Sequence, residues 1–219
     1  MPIAAVLLKG NIRVVPSSEE DSLEKTSLDS VRLQFVPFDG FGFRSPSTVA
    51  KADGSFQIEN LGIEKYRVFI GSLPKGTWLK SIRSGNVDVL NEGMDAVSGV
   101  APLEITLSQG GGQIKGLVQD EKQQPVSRGI VMMLPKPQKE GRRDLHRSAV
   151  VLKNGTFTIQ GIAPGEYKLF AWTEIDPGLP LTDVEFLKRH EGKSQKVSIK
   201  AKGNEQVTLK QIPIADVLK

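Results

Sequence analysis

"DGSFQIENLGIEKYRVFI" (Asp53–Ile70) and "NGTFTIQGIAPGEYKLFAW" (Asn154–Trp172) are two versions of one sentence. Gly54 aligns with Gly155, Phe56 with Phe157, Ile58 with Ile159, Leu61 with Ile162, Tyr66 with Tyr167 and Val68 with Leu169, each pair 101 residues apart. That period exceeds the roughly 20–50 residues of a solenoid unit and equals the length of a whole domain. The chain is therefore expected to hold two tandem copies of one fold, residues 1–109 and 110–219.

Within each copy the pattern is that of strands. Phe157 and Ile159 alternate with Thr156 and Thr158, and Tyr167, Leu169 and Ala171 share one face of the next run. Pro164 and Gly165 mark the turn between them, and the dipeptides Asp53–Gly54 and Asn154–Gly155 mark the turn before. Upstream, "SVRLQFVP" (Ser30–Pro37) and "GIVMMLP" (Gly129–Pro135) are matching apolar strands that end at proline. "LEITLSQ" closes the first copy, while "QKVSIKA" and "EQVTLKQI" close the second. Short strands with turn signals every ~8–12 residues predict an all-β architecture, two tandem seven-stranded Ig-like or prealbumin-like sandwiches. The three glycines at 110–112 are expected to form a hinge between them. One short helix is predicted in the second copy, over Leu181–Lys193, with Thr182 or Asp183 as N-cap and Gly192 as its stop.

Composition narrows the class. Apolar residues make up 38% and charged residues 25% of the 219, which suits a globular protein rather than a collagenous or disordered one. There is no cysteine, so disulfides and thiolate metal sites are excluded. The apolar run Ile3–Leu8 is too short for a membrane helix and lacks the basic start of a signal peptide. The net charge of +4 is uneven, −2 over residues 1–109 and +6 over 110–219. Basic residues are dense only in "KEGRRDLHR" (Lys139–Arg147), which also holds two acids and reads as a solvated loop, with an anion site as the alternative. A nucleic-acid partner is not expected.

The second copy resembles the carboxypeptidase regulatory-like domains, which are transthyretin-like sandwiches. The residues that carry the resemblance are "QDEKQQPVSRGIVMMLP" (Gln119–Pro135) followed by "NGTFTIQGIAPGEYKLFAW". The first copy follows the pattern more loosely, with "GIEKY" in place of Pro-Gly-x-Tyr and a Ser/Glu-rich insert at Pro16–Ser30. Its tail, from "GTWLKS" into "GGGQIKGLVQD", looks like the linker in large exported acidobacterial proteins that carry several such domains. The resemblance implies export to the cell surface, periplasm or exterior and a non-catalytic accessory role. Protein or cell-surface glycan partners follow from it, with the chain itself expected to be monomeric. Collagen-adhesin B-type repeats resemble the same fold and hold a Lys–Asn crosslink. Lys115, Asn204 and Glu166 would be its parts here.

Candidate chemistry is sparse. His146 and His190 stand in different contexts, and no serine has a recognisable base partner. No enzyme activity and no cofactor are expected. Asp53 and Glu59 lack the dense acidic series of a calcium loop, so Asp53 reads as a turn residue and no metal is expected. The aromatics leave two readings open. Trp172 and Phe170 fall on the face opposite Tyr167, where they are either covered by the predicted helix through Phe186 or offered to a ligand as a stacking platform. "FDGFGF" (Phe38–Phe43) is either a packed hairpin or an exposed recognition loop. Trp172, Phe41 and Phe43 are thus the candidate ligand-binding residues. Trp78 is expected between the copies.

Overall fold

The computed structural model describes residues 5–38, 45–97, 99–138, 141–173 and 184–213. The chain divides into two compact units, Met1–Gly110 with Glu140–Asp144, and Gly111–Lys139 with Leu145–Lys219.

Among the described residues the first unit has nine strands rather than seven. β1 (Ala5–Val15), β4 (Ser55–Gly62), β6 (Thr77–Ser84), β7 (Val87–Asp88) and β9 (Leu103–Gln109) form a sheet in the order β4-β1-β9-β6-β7. β2 (Arg32–Pro37), β3 (Ser47–Val49), β5 (Lys65–Gly71) and β8 (Met94–Asp95) form the other, in the order β3-β2-β5-β8. A one-turn helix α1 (Val89–Glu92) is capped by the Asp88 carboxylate, which accepts from Asn91 N at 3.3 Å. One core joins the sheets: Leu8, Ile12, Ile58 and Ile105 from the first meet Leu33, Phe35, Tyr66 and Val68 from the second. Burial of alternate apolar side chains from both inner faces is what holds a sandwich together.

Among its described residues the second unit has the strands β10 (Gly112–Gln119), β11 (Ile130–Pro135), β12 (Arg147–Val150), β13 (Thr156–Ile162), β14 (Gly165–Trp172), β15 (Gln195–Ile199) and β16 (Asn204–Ile212), joined in one sheet. The row β13-β10-β16 repeats β4-β1-β9, and β12-β11-β14-β15 repeats β3-β2-β5-β8. The two rows are continuous, because Ala171 and Trp172 pair with Gln211 and Ile212. The predicted helix is α2 (Val184–Arg189), followed by a 3-10 turn at Glu191–Lys193; the expected caps Thr182 and Asp183 lie outside the described residues.

The repeat extends further than the motif that revealed it. Gly10 of β1 pairs with Phe56 and Gly116 of β10 pairs with Phe157. A Cβ on Gly10 would lie 2.3 Å from the Phe56 ring, and one on Gly116 would lie 2.4 Å from the Phe157 ring. Each phenylalanine thus lies over a glycine across the strand pair, which only a residue without a side chain permits.

Two expectations are corrected. The three-glycine hinge is shorter than the sequence suggests, because Gly112 belongs to β10, is buried, and its Cβ position is 2.3 Å from Ile199 Cγ2. Only Gly110 and Gly111 connect β9 to β10. The supposed linker containing Trp78 is also a strand: Trp78 lies in β6, half-buried and opposite Ser108 of β9.

Candidate functional site

The aromatic candidates separate. Trp172 is only 1% exposed. Its indole stacks on Phe170 at 5.7 Å and 9°, and Phe186 of α2 lies at 5.2 Å on a tilt of 36°. His190, just past α2, meets the indole edge-on at 5.2 Å. Met132, Leu134, Leu187 and Ile212 complete this cluster on the outer face of the β11–β14 pair. The indole thus packs against the chain's own Phe170 and Phe186 side chains. Strand alternation placed Trp172 and Phe170 on that face, and the helix that covers them comes from the connection between β14 and β15. Phe41 and Phe43 lie outside the described residues. Their neighbour Phe38 is 38% exposed, with the Arg67 guanidinium 4.4 Å and the Lys65 ammonium 5.2 Å from its ring centre. Cation–π attraction of this kind contributes ~0.5–1 kcal/mol at an exposed site.

His190 is 5% exposed, and Phe186 O accepts its Nδ1–H at 2.9 Å, one helical turn back. The imidazole thus caps a carbonyl and fills the aromatic cluster. In the basic loop, Arg142 donates Nε and Nη2 to the two Asp144 oxygens, both at 2.8 Å. That bidentate pair occupies one of the guanidinium groups an anion would require.

Asp53 is a turn residue. Its Oδ1 accepts from Ser55 N at 2.9 Å and Ser55 Oγ at 2.7 Å. These bonds, first the side-chain one, hold its carboxyl below the usual carboxylate value. Asn154 repeats the geometry on Thr156, at 3.2 and 2.7 Å, and the following Gly54 and Gly155 have φ of 84° and 80°. An amide performs the same task, so the interaction needs an acceptor oxygen and not a charge or a metal. Among the described residues no three His, Cys, Asp or Glu side chains come together as a metal site.

The crosslink candidates lie on three strands. Lys115 pairs with Gln206, Asn204 pairs with Gln113, and Glu166 lies on β14 opposite Ser198. All three residues are exposed, and Lys115 and Asn204 are two residues out of register on paired strands.

The two tyrosines show how far the copies agree. Tyr66 and Tyr167 are 1% and 2% exposed, and each lies opposite the proline that ends the neighbouring strand, Pro37 or Pro135. Their hydroxyls differ in partner. Tyr167 donates to Ala163 O at 2.8 Å, and Tyr66 donates to Glu64 Oε1 at 2.8 Å. Gly165 stands where Glu64 stands in the first copy, so the second copy lacks that carboxylate. Burial, then the bond to Glu64 and its charge, pushes the Tyr66 phenol up to about 12.

No family model matches the chain, and no curated protein matches it. Among solved structures, the chain is similar to the TIE protein of Bacillus anthracis, at 14% identity and a TM-score of 0.33, covering 94% of this chain and 34% of that one. It is similar to the shaft pilin SpaA of Lactobacillus rhamnosus GG, at 8% identity and a TM-score of 0.32, covering 94% and 98%. It is also similar to the minor pilin of Streptococcus agalactiae, at 12% identity and a TM-score of 0.34, covering 94% and 95%. The chain spans about a third of the Bacillus anthracis protein. None of these likenesses assigns a family. Among the described residues no helix is long and apolar enough to cross a membrane.

Proposed function

We propose that the protein is a non-enzymatic spacer or interaction module of an exported bacterial protein, built from two divergent carboxypeptidase regulatory-like sandwiches, residues 1–109 and 110–219. The single observation that carries the reading is the covering of Trp172. The residue best suited by sequence to hold a ligand is spent on packing, while His190 bonds a helix carbonyl, Arg142 a loop carboxylate and Asp53 its own turn. A sandwich whose polar and aromatic side chains serve turns and cores is suited to bearing load and setting distance.

Two measurements test this. On a glycan array the full chain should give no signal; a signal lost on mutating Phe41 and Phe43 to alanine would establish carbohydrate binding instead. Fractionation of the source cells should recover the parent protein in the envelope or medium, and recovery in the cytosol alone would overturn the export reading. The copies are further proposed to fold separately, so that residues 111–219, which retain Gly112 in β10, show a cooperative thermal transition alone. A fragment without one would join the two copies into a single folding unit.

A further inference from the structure

The strand-ending prolines fix which residues of the two copies correspond beyond the shared motif. Pro37 lies opposite Tyr66 and Pro135 opposite Tyr167. The residue after each proline makes the same bond: Phe38 N donates to Lys65 O at 2.9 Å, and Lys136 N donates to Glu166 O at 2.8 Å. Phe38 and Lys136 are therefore equivalent. So are Arg67 and Lys168, and the residues opposite them, Val36 and Leu134.

One corner of the outer face is filled differently in the two copies. In the first, the Phe38 ring lies over the Arg67 guanidinium, 4.4 Å from its ring centre. In the second, residue 136 is a lysine, and a groove of about 480 Å³ lies between α2 and the ends of β11 and β14. Lys136, Lys168 and Leu134, the counterparts of Phe38, Arg67 and Val36, all line it. Pro135, Phe170 and Leu187 complete an apolar floor. The volume falls within the roughly 300–1,000 Å³ of small-molecule sites, which are mostly apolar with a few polar groups that fix orientation.

The rim already holds an anion of the chain's own. The Glu191 carboxylate accepts from Lys168 Nζ, and that bond, with the charges of Lys168, Lys136 and Lys196, holds its carboxyl below the usual carboxylate value. Of the other rim charges, Lys188 bonds Glu185 at 3.0 Å and Glu166 is exposed. Glu191 is exposed too, so its carboxylate can yield Lys168 to another anion and return to water at little cost.

We propose that this groove binds an aromatic carboxylate, whose ring takes the place that Phe38 fills in the first copy and whose carboxylate takes the place of Glu191 on Lys168. The first copy supplies the ring, since an aromatic face beside a cation is what this corner holds when it is filled. Glu191 supplies the charge, since three lysines act on the point where its carboxylate stands. The site adds a ligand to the module reading, and an empty groove would leave that reading intact.

Phenylacetate is the probe, followed through the amide chemical shifts of the isotope-labelled full chain, with phenylacetamide as its neutral counterpart. Phenylacetate should shift the amides of Lys136, Lys168 and Leu187 saturably, with a Kd of about 1 mM, the strength expected of a ligand of that size. Phenylacetamide should bind about threefold more weakly or less. Glu191→Gln removes the competing carboxylate and should tighten phenylacetate about threefold, while Lys168→Gln should weaken it by as much. Lys136→Phe, which restores the residue of the first copy, should fill the groove and abolish binding of both probes. Positions 136 and 191 are exposed, so circular dichroism and the thermal transition should stay those of the wild type. No saturable shift in these amides at about 10 mM phenylacetate, tenfold above the expected Kd, would overturn the proposal. So would equal affinity for acid and amide, binding that Lys136→Phe leaves unchanged, or binding that Glu191→Gln weakens.

Discussion

The connection from β5 to β8 and the connection from β14 to β15 leave equivalent strands and return to equivalent strands, yet they seal different surfaces. In the first copy it runs as β6, β7 and α1, and β6 is added to the edge of β9. In the second it delivers α2 onto the outer face of β11 and β14. The residues beneath have changed to match. Where the second copy sets Met132 against Phe170 and Ile130 against Trp172, the first sets Gln34 against Phe69 and Arg32 against Gly71. A sandwich can thus close an edge or cover a face with one insertion. The surface left over is an edge in one copy and a face in the other.

The largest effect should come from the sealed face. Trp172→Ala removes a fully buried ring that contacts Phe170, Phe186 and His190 and should cost about 3–5 kcal/mol in urea unfolding. Phe69→Ala, on the half-buried counterpart surface, should cost roughly 1–2 kcal/mol. Equal losses at both positions would remove the distinction between a covered and an uncovered face. The same cover predicts that iodide quenches Trp172 weakly in a Trp78→Phe background, and more strongly once Phe186 is changed to alanine.

A smaller difference should separate the tyrosine hydroxyls. Tyr167→Phe leaves the Ala163 carbonyl without its buried donor and should cost about 1–3 kcal/mol. Tyr66→Phe releases Glu64, whose exposed carboxylate returns to water, so its loss should fall below ~1 kcal/mol. Reversal of that order would place the Glu64 bond above the backbone bond.

pH sharpens the same pair. The Tyr66 phenol ionises at about 12 in the fold against 10.0 as a free group. A raised acid favours the protonated fold, so its contribution to stability is complete below pH 10 and is lost as the pH climbs from 10 towards 12. Glu64→Gln removes the charge and should move the tyrosinate absorbance step to lower pH; an unmoved step would leave burial as the sole cause.

The smallest effect belongs to the turns. Asp53 has its carboxyl lowered by the Ser55 bonds, so its contribution is present above the ordinary value of 3.8 and disappears as the pH falls through the lowered one. Asp53→Asn should abolish that acid-side step while leaving neutral-pH stability unchanged, because Asn154 already performs the task with an amide. A clear destabilisation at neutral pH would mean that the charge itself matters at Asp53.

Local pattern fixed much of this protein. The 101-residue match, the alternation around Tyr66 and Tyr167, and the Asp53–Gly54 and Asn154–Gly155 turns predicted strands, turns and the duplication, because period-two burial and positive-φ glycine are properties of a few adjacent residues. The placing of Trp172 on the face opposite Tyr167 followed from the same alternation, which left open whether a helix or a ligand covers it; the helix bearing Phe186 does. The pairing of Gly10 with Phe56 and Gly116 with Phe157 was written in the sequence as well, but loops of unequal length put it out of phase with the main repeat. Only the tertiary structure decided the rest. Nothing local to Thr77–Ser84 distinguishes a linker from a strand, because the hydrogen bonds that make it β6 come from β9, 19 to 32 residues away. Gly112 reads as a hinge beside two other glycines until Ile199 arrives from a distant strand to fill the space of its missing side chain. Whether an edge is paired or open depends on where a connection lands, and that is set by long-range packing rather than by any residue of the edge itself.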